Sequence, residues 1–314
     1  ILPYRGVART GVCFAMELVL DAIAREAGKE PHQVRLMNLP PPEAMPFDNI
    51  TAKHFDSGDY PTCLKKAVDA VDLAGVRDRQ KSAEPDGRRI GVGFSIFCEQ
   101  GAHGTTVYAG WGIPMVPGHE QCGARLTPDG ELELRIGAHS HGQGLETTLA
   151  QVAHEILGID PGLVRLVHGD TGVTPYSTGT WGSRCMVMSG GAVASACEAL
   201  AKRAKKIGAA LLQAEESEVR VEGGSVIALN NAMSLVDIAR TWYLKPQDLP
   251  LDVDPSGLEV TVGYKPQVDT GTFSYAAHAA VVAVDVEIGH VEILDYVVVE
   301  DGGVLVNPMI ADGQ

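Results

Sequence analysis

The sequence predicts an α+β fold, with mixed β-sheets and packed helices arranged in two lobes. Three observations carry this reading. Segments with apolar residues at three- and four-residue spacing alternate with pairs of β-branched strands joined by tight turns. The chain has 314 residues, 45% of them hydrophobic, which suffices for a large core and fits about two domains. No convincing internal repeat is present.

The elements follow in order. A first helix is expected from about Thr10 to Ala27, with Phe14, Leu18 and Ile23 facing inward. Pro31 opens a short helix to about Met37, as a proline in the first helical position does, and the prolines at 40–42 end it. Pro61 opens another, to about Ala74. Residues 88–100 read as a buried strand, and 101–118, rich in Gly, Thr, Trp and Pro, as an ordered loop. A hairpin turn at 127–132 leads into a strand ending at Ile136. A helix from Glu146 to Leu157 places Leu149, Val152, Ala153, Ile156 and Leu157 on one side and stops at Gly158. A buried strand at 163–170 and a small-residue helix at 186–206 follow. The remainder holds a hairpin turning at Gly223-Gly224, a helix capped by Ser234, a proline- and glycine-rich surface segment at 245–272, and two long strands at about 276–287 and 291–299.

The net charge of −15, from 25 basic and 40 acidic side chains, disfavours nucleic acid and anionic membrane as partners. An anionic ligand must then be held by local geometry. No apolar run is long enough to span a bilayer and no secretory pattern precedes the first helix, so a cytoplasmic location is expected. The six cysteines lack C-x-x-C spacing, which argues against zinc and iron–sulfur ligation. Cys13, Cys63 and Cys197 fall on helical apolar patterns as small core residues; Cys185 fits either a ligand contact or a packed position.

Three segments stand out. Gly179-Thr180-Trp181-Gly182-Ser183-Arg184 brings two glycines, two hydroxyls and an arginine to the start of a helix, where backbone N–H groups and the helix dipole favour an anion. An ordinary turn with an N-cap fits the same residues. Gly137 to Gly144 is a polar strand-to-helix loop in which Gly142 and Gly144 flank Gln143. Its His139 and His141 make a weak metal pair and read better as hydrogen-bonding loop residues. Pro3-Tyr4-Arg5-Gly6 again sets an Arg and a Gly before a helix. No P-loop or clear Gly-x-Gly-x-x-Gly unit is present.

Taken in order, "PYRG" at 3–6, "HGQG" at 141–144, "GDTGVTPYSTGTWGSR" at 169–184 and "NPMIADGQ" at 307–314 resemble the molybdenum-binding large subunit of the molybdenum hydroxylases, the family of xanthine dehydrogenase and aldehyde oxidase. "NLPPPEAMPF" and "DSGDYP" fit the same order, so the resemblance runs over essentially the whole chain. It implies a molybdenum-cofactor-binding domain of the xanthine dehydrogenase type, with one molybdopterin-binding lobe at 1–210 and the truncated start of a second at 211–314. It also implies that the chain is a fragment of a longer polypeptide.

The cofactor implied is molybdopterin carrying molybdenum, its cytosine dinucleotide form being one option; the pterin, not protein side chains, holds the metal. By resemblance, Arg5 and Gly6 line the metal centre, and Gln143, between Gly142 and Gly144, hydrogen-bonds the cofactor. Thr180, Gly182, Ser183, Arg184 and Cys185 contact the pterin or its phosphate or nucleotide tail, and Gln314 bonds the pterin. Val7 stands where xanthine-oxidising relatives carry a phenylalanine, which weakens the case for a flat bicyclic substrate. Gly6 replaces the copper-binding cysteine of carbon-monoxide-oxidising relatives. The family's general-base glutamate is expected outside this chain, so no catalytic residue is assigned; Glu99 and Glu120 read as solvated or structural. The rest of the large subunit, iron–sulfur [2Fe-2S] and FAD partners and a small-molecule aldehyde or N-heterocycle complete the expectation. The chain alone is expected to be inactive. The competing reading is a split subunit or assembly module without chemistry of its own.

Overall fold

The structure, a computed structural model, describes residues 6–113, 116–229 and 231–313. In chain order the elements are α1 (Arg9–Glu26), α2 (Pro31–Asn38), β1 (Phe47–Asp48), β2 (His54–Phe55), α3 (Tyr60–Ala70), α4 (Leu73–Arg79), β3 (Arg89–Gly101), α5 (Thr105–Gly110), β4 (Glu120–Leu126), β5 (Leu132–Ile136), α6 (Leu145–Leu157) and β6 (Val164–Val167). A π-helical turn, Cys185–Gly190, runs into α7 (Gly191–Leu211). Then come β7 (Val219–Glu222), β8 (Ser225–Ala228), β9 (Asn231–Ser234), α8 (Leu235–Leu244), β10 (Glu259–Tyr264), β11 (Thr272–Val284), β12 (Val291–Asp301) and α9 (Pro308–Gly313). The fold is α+β, as the alternation of patterns predicts.

The chain forms two compact units, one from the residues up to 100 together with 272–303, the other from 101–271 together with 304 onward. The division expected at 210/211 falls within the second unit, at the last residues of α7.

In the first unit β11 lies between β12 and β3 in a three-stranded sheet. Its core joins α3 (Tyr60, Cys63, Leu64, Ala67) to Ile90 and Phe94 of β3 and to Tyr275, Ala277, Ala279, Val281 and Ala283 of β11. The alternation along β11 is the period-two pattern of a strand with one face buried.

Helix α1 departs from expectation. Phe14, Leu18 and Ile23 are 67%, 51% and 48% exposed, so they do not face inward. The helix is held instead through polar contacts. Arg35, itself fully buried on α2, pairs with Glu17 at 2.7 Å and Asp21 at 2.9 Å, and Cys13 Sγ lies 3.7 Å from Ser95 Oγ. Cys13, Glu17, Asp21 and the buried Ala24 therefore form the inner face, and the aromatic and aliphatic side chains turn away from it. Burial raises the Glu17 carboxyl above its ordinary value, against the opposing pull of Arg35.

In the second unit β10, β4 and β5 pair antiparallel, and β6 pairs parallel to β5 with Leu132 opposite Val164. A parallel pair needs a crossover, and α6 supplies it. Helix α7 packs its small-residue face, Ala192, Ala196, Cys197 and Ala204, into the same core as Cys122, Leu134, Leu149 and Val260. The hairpin sheet β7-β8-β9 and the Ser234-capped α8 complete this unit.

Candidate functional site

The parallel pairing of β5 and β6 fixes the site. Their carboxyl ends lie at one edge, so the loop after β5 (137–144) and the loop after β6 (168–184) leave the sheet together. Each returns into a helix, and both helix N-termini therefore start at that edge. In open parallel α/β sheets the crevices at the carboxyl ends of the strands are the usual ligand sites, and the one parallel pair of this mixed sheet makes an edge of that kind.

The two loops are joined directly. The backbone N–H of His139 donates to Thr180 Oγ1 at 2.8 Å, and the Thr180 hydroxyl donates back to the His139 carbonyl. Cys185 Sγ lies 3.3 Å from Thr180 Oγ1 and is buried; burial pushes its thiol up from the ordinary value. Cys185 thus packs beside the loop junction.

Neither helix is capped by a side chain at its start. Helix α6 begins after Gly144 (φ 76°) and the π-helical turn begins after Arg184, with no side-chain capping bond at either. Only α6 has an acid in its first turn, Glu146, whose carboxyl is held below its ordinary value chiefly by its own backbone N–H. The turn at Cys185 has none. The positive end there is the better place for an anion.

Gln143 lies at the lip of the first loop, half-buried, its Oε1 accepting from the His141 N–H. Gly142 faces open space. Gly144 is needed for two reasons: its φ is left-handed, and a Cβ there would stand 2.9 Å from Ile310 Cδ1. Ile310 belongs to the "NPMIADG" stretch, whose Asn307 Nδ2 donates to Gln151 Oε1 on α6 at 2.9 Å. The motifs at 141–144, 179–184 and 307–313 thus come together in one unit.

In the second loop Gly182 (φ 58°) and Ser183 (φ 54°) are exposed and left-handed, and the Gly182 carbonyl accepts from the Ala102 N–H at 2.8 Å. Arg184 is buried and its guanidinium is committed. It pairs with Glu120, also buried, and donates to the carbonyls of Gly179 and His119, each at 2.9 Å. The sequence reading placed Arg184 among the cofactor contacts; its side chain points into the protein instead. Gly6 (φ 66°) and Val7, 62% exposed, lie at the start of α1 in the first unit. Arg5 and Gln314 lie outside the described residues.

Sequence reasoning missed two polar residues of this edge, His168 and Ser177, and left Glu120 as either solvated or structural, where the buried pair with Arg184 makes it structural. His168, at the end of β6, sits 3.0 Å from Glu146 Oε1 through Nε2 and 3.4 Å from His139 Nδ1 through its own Nδ1. Ser177 Oγ donates to Glu120 Oε1 at 2.6 Å and accepts from the Gly179 N–H at 2.9 Å. A charged residue opening a strand whose buried positions are Cys122, Ala124 and Leu126 was the available sign for Glu120. Among the described residues no group of three His, Cys, Asp or Glu could hold a metal ion. No described helix is long and apolar enough to cross a membrane.

The sequence pattern of the molybdopterin cofactor-binding domain matches residues 66–314, and the chain belongs to that family. It is 31% identical over 314 residues to the nicotine 6-hydroxylase large subunit of Paenarthrobacter nicotinovorans, covering 99% of this chain and 38% of that protein. It is 30% identical to the carbon monoxide dehydrogenase large chain of Hydrogenophaga pseudoflava, over 97% of this chain and 38% of that one. The fold matches the crystal structure of quinoline 2-oxidoreductase from Pseudomonas putida 86 with a TM-score of 0.89 and 30% identity, over 99% of this chain and 39% of that chain. The chain therefore spans well under half the length of these relatives.

Proposed function

We propose that this chain is the molybdopterin-holding portion of a molybdenum hydroxylase that oxidatively hydroxylates an aldehyde or N-heteroaromatic carbon with oxygen from water. One observation carries the reading: two helix N-termini without side-chain caps, fronted by glycine loops, meet at the carboxyl edge of a parallel strand pair and are locked together through Thr180 and His139.

The residues present fit the group. The end with no acid in its first turn, at Ser183 to Cys185, suits the phosphate or nucleotide tail, held by backbone N–H groups and a dipole worth about half a charge. The end bearing Gln143 suits a neutral pterin, because an amide both donates and accepts. Open space at Gly142 lets the backbone come close. Once bound, molybdopterin supplies a molybdenum centre that takes up the electrons of the hydroxylation. This chain orients it and sets the charge around it. Partner domains or subunits carrying [2Fe-2S] and FAD groups would accept those electrons. The glycine at position 6 and the valine at position 7 argue for a substrate other than carbon monoxide or a purine.

One observation favours the alternative of a holding module without chemistry of its own. The two carboxylates beside the loops are both engaged, Glu120 with Arg184 and Glu146 with His168, which leaves neither as a ready general base. The test is a metal analysis paired with oxidised-pterin fluorescence on protein from a host that makes the cofactor. Stoichiometric absence of both sinks the proposal. Cofactor bound in the intact complex, with the rest of the large subunit present, but without turnover of aldehydes or N-heterocycles selects the holding module.

A further inference from the structure

We infer that the buried Glu120–Arg184 pair, with Ser177, is a positioning device that sets the turn at Gly179 and through it holds the two loops in register. The loops' use as a cofactor cradle rests on the function proposed above; the positioning itself rests on geometry alone.

The pair is an expensive feature to keep. Both side chains are essentially out of solvent, 0% exposed for Glu120 and 3% for Arg184. Taking two charges out of water costs several kcal/mol per ion, and such a pair is weak evidence for stability in itself. Its bonds show what it determines. Gly179 is gripped at both polar atoms of its backbone: its N–H donates to Ser177 Oγ and its carbonyl accepts from Arg184 Nη1. Ser177 Oγ and Arg184 Nη1 converge on the same oxygen, Glu120 Oε1. Arg184 Nη2 closes the frame on the His119 carbonyl, at the head of β4. With φ at 87°, Gly179 turns the chain in a conformation other residues resist. The residue it aims is Thr180, whose hydroxyl makes both bonds to His139 on the other loop. The line of dependence therefore runs from Glu120 through Gly179 and Thr180 to His139.

Two consequences separate this role from direct ligand contact. The charge of Arg184 is balanced within the protein, so it does not face a bound anion as a free cation. And disturbing Ser177 must loosen the His139 N–H, a group that Ser177 does not bond.

The experiment follows backbone amide hydrogen exchange in the full chain for Ser177→Ala and Glu120→Gln. Ser177→Ala keeps the Cβ that packs on Gly137 and leaves both charges in place. Exchange at His139 is expected to quicken about tenfold or more in Ser177→Ala, while amides in the middle of α7 keep their rates. Where Glu120→Gln fails to fold, Ser177→Ala decides alone. Unchanged exchange at His139 in Ser177→Ala, or a uniform rise over the whole unit, overturns the inference. Cofactor content per folded chain is measured on the same preparations. If the unmodified chain holds no pterin while His139 still quickens in Ser177→Ala, the proposed function fails and the positioning role stands.

Discussion

The two loops at the carboxyl edge look alike in sequence and are held in different ways. Among the described residues, 137–144 carry no ion pair of their own: Gln143 bonds the neighbouring His141, Gly144 gives way to Ile310, and His139 leans on Thr180 of the other loop. Residues 177–184 are wired to the start of a distant strand by a buried ion pair. The first loop can re-aim its one amide side chain at little cost, while the second presents a preset backbone. A cradle for a ligand with a neutral ring system and an anionic tail gains from both, with an adaptable hydrogen-bonder at one end and a rigid array of N–H groups at the other.

That contrast can be broken most severely at the second loop. Arg184→Met leaves Glu120 buried without its partner and is expected to destabilise the second unit by about 3–5 kcal/mol, read by denaturant unfolding. A loss below about 1 kcal/mol would show that the loop is not set by the pair. Next comes Gly144→Ala. A left-handed non-glycine residue costs about 1–2 kcal/mol, and the added Cβ presses on Ile310, so a drop of that order is expected in the same assay. Gln143→Ala should leave stability within about 0.5 kcal/mol and weaken cofactor retention by the worth of one hydrogen bond, about 0.5–1.5 kcal/mol. Melting curves and pterin content on one preparation separate the two effects, and a collapse of stability with retention intact would make Gln143 a structural residue.

The smallest effect is a pH dependence confined to the first loop. The Glu146 carboxyl is held below its ordinary value in the folded chain, so the stability it contributes is present above about pH 4.5 and fades as the pH falls through that range toward the folded value. Glu146→Gln should flatten the acid limb of the stability curve slightly. An unchanged acid limb would mean that its bonds to its own N–H and to His168 carry no net weight.

Much of this was legible in the sequence, for identifiable reasons. Period-two alternation in β11 and the small-residue face of α7 each admit one burial pattern, and the glycine loops declare themselves by composition. The face of α1 was not legible, because its apolar residues ring the helix and the deciding contacts are ion pairs to Arg35 on another helix. The role of Arg184 was hidden similarly. Its partner Glu120 lies 64 positions away, and an arginine beside a glycine turn reads equally well as a ligand contact or as a strut. Pattern fixes which elements form; pairing between distant polar groups decides which side chains are left to meet a ligand.

The chain passes between its two units three times, at 100/101, 271/272 and 303/304, and this governs how the protein can be made. Strand β3 has β11 as its sheet neighbour, yet the whole run 101–271 lies between them. During synthesis the sheet of the first unit must wait, its β3 edge unpaired, until β11 has been added. The intervening run, with most of its own sheet and helices complete, can fold first and bring the ends of that long loop together. The closure entropy of a loop this long grows only slowly with length, but the waiting edge is an aggregation hazard for as long as it lasts. In the folded chain the Gly104 N–H donates to the Asp269 carbonyl at 3.0 Å, so the ends of the run meet as the pairing of β3 with β11 requires.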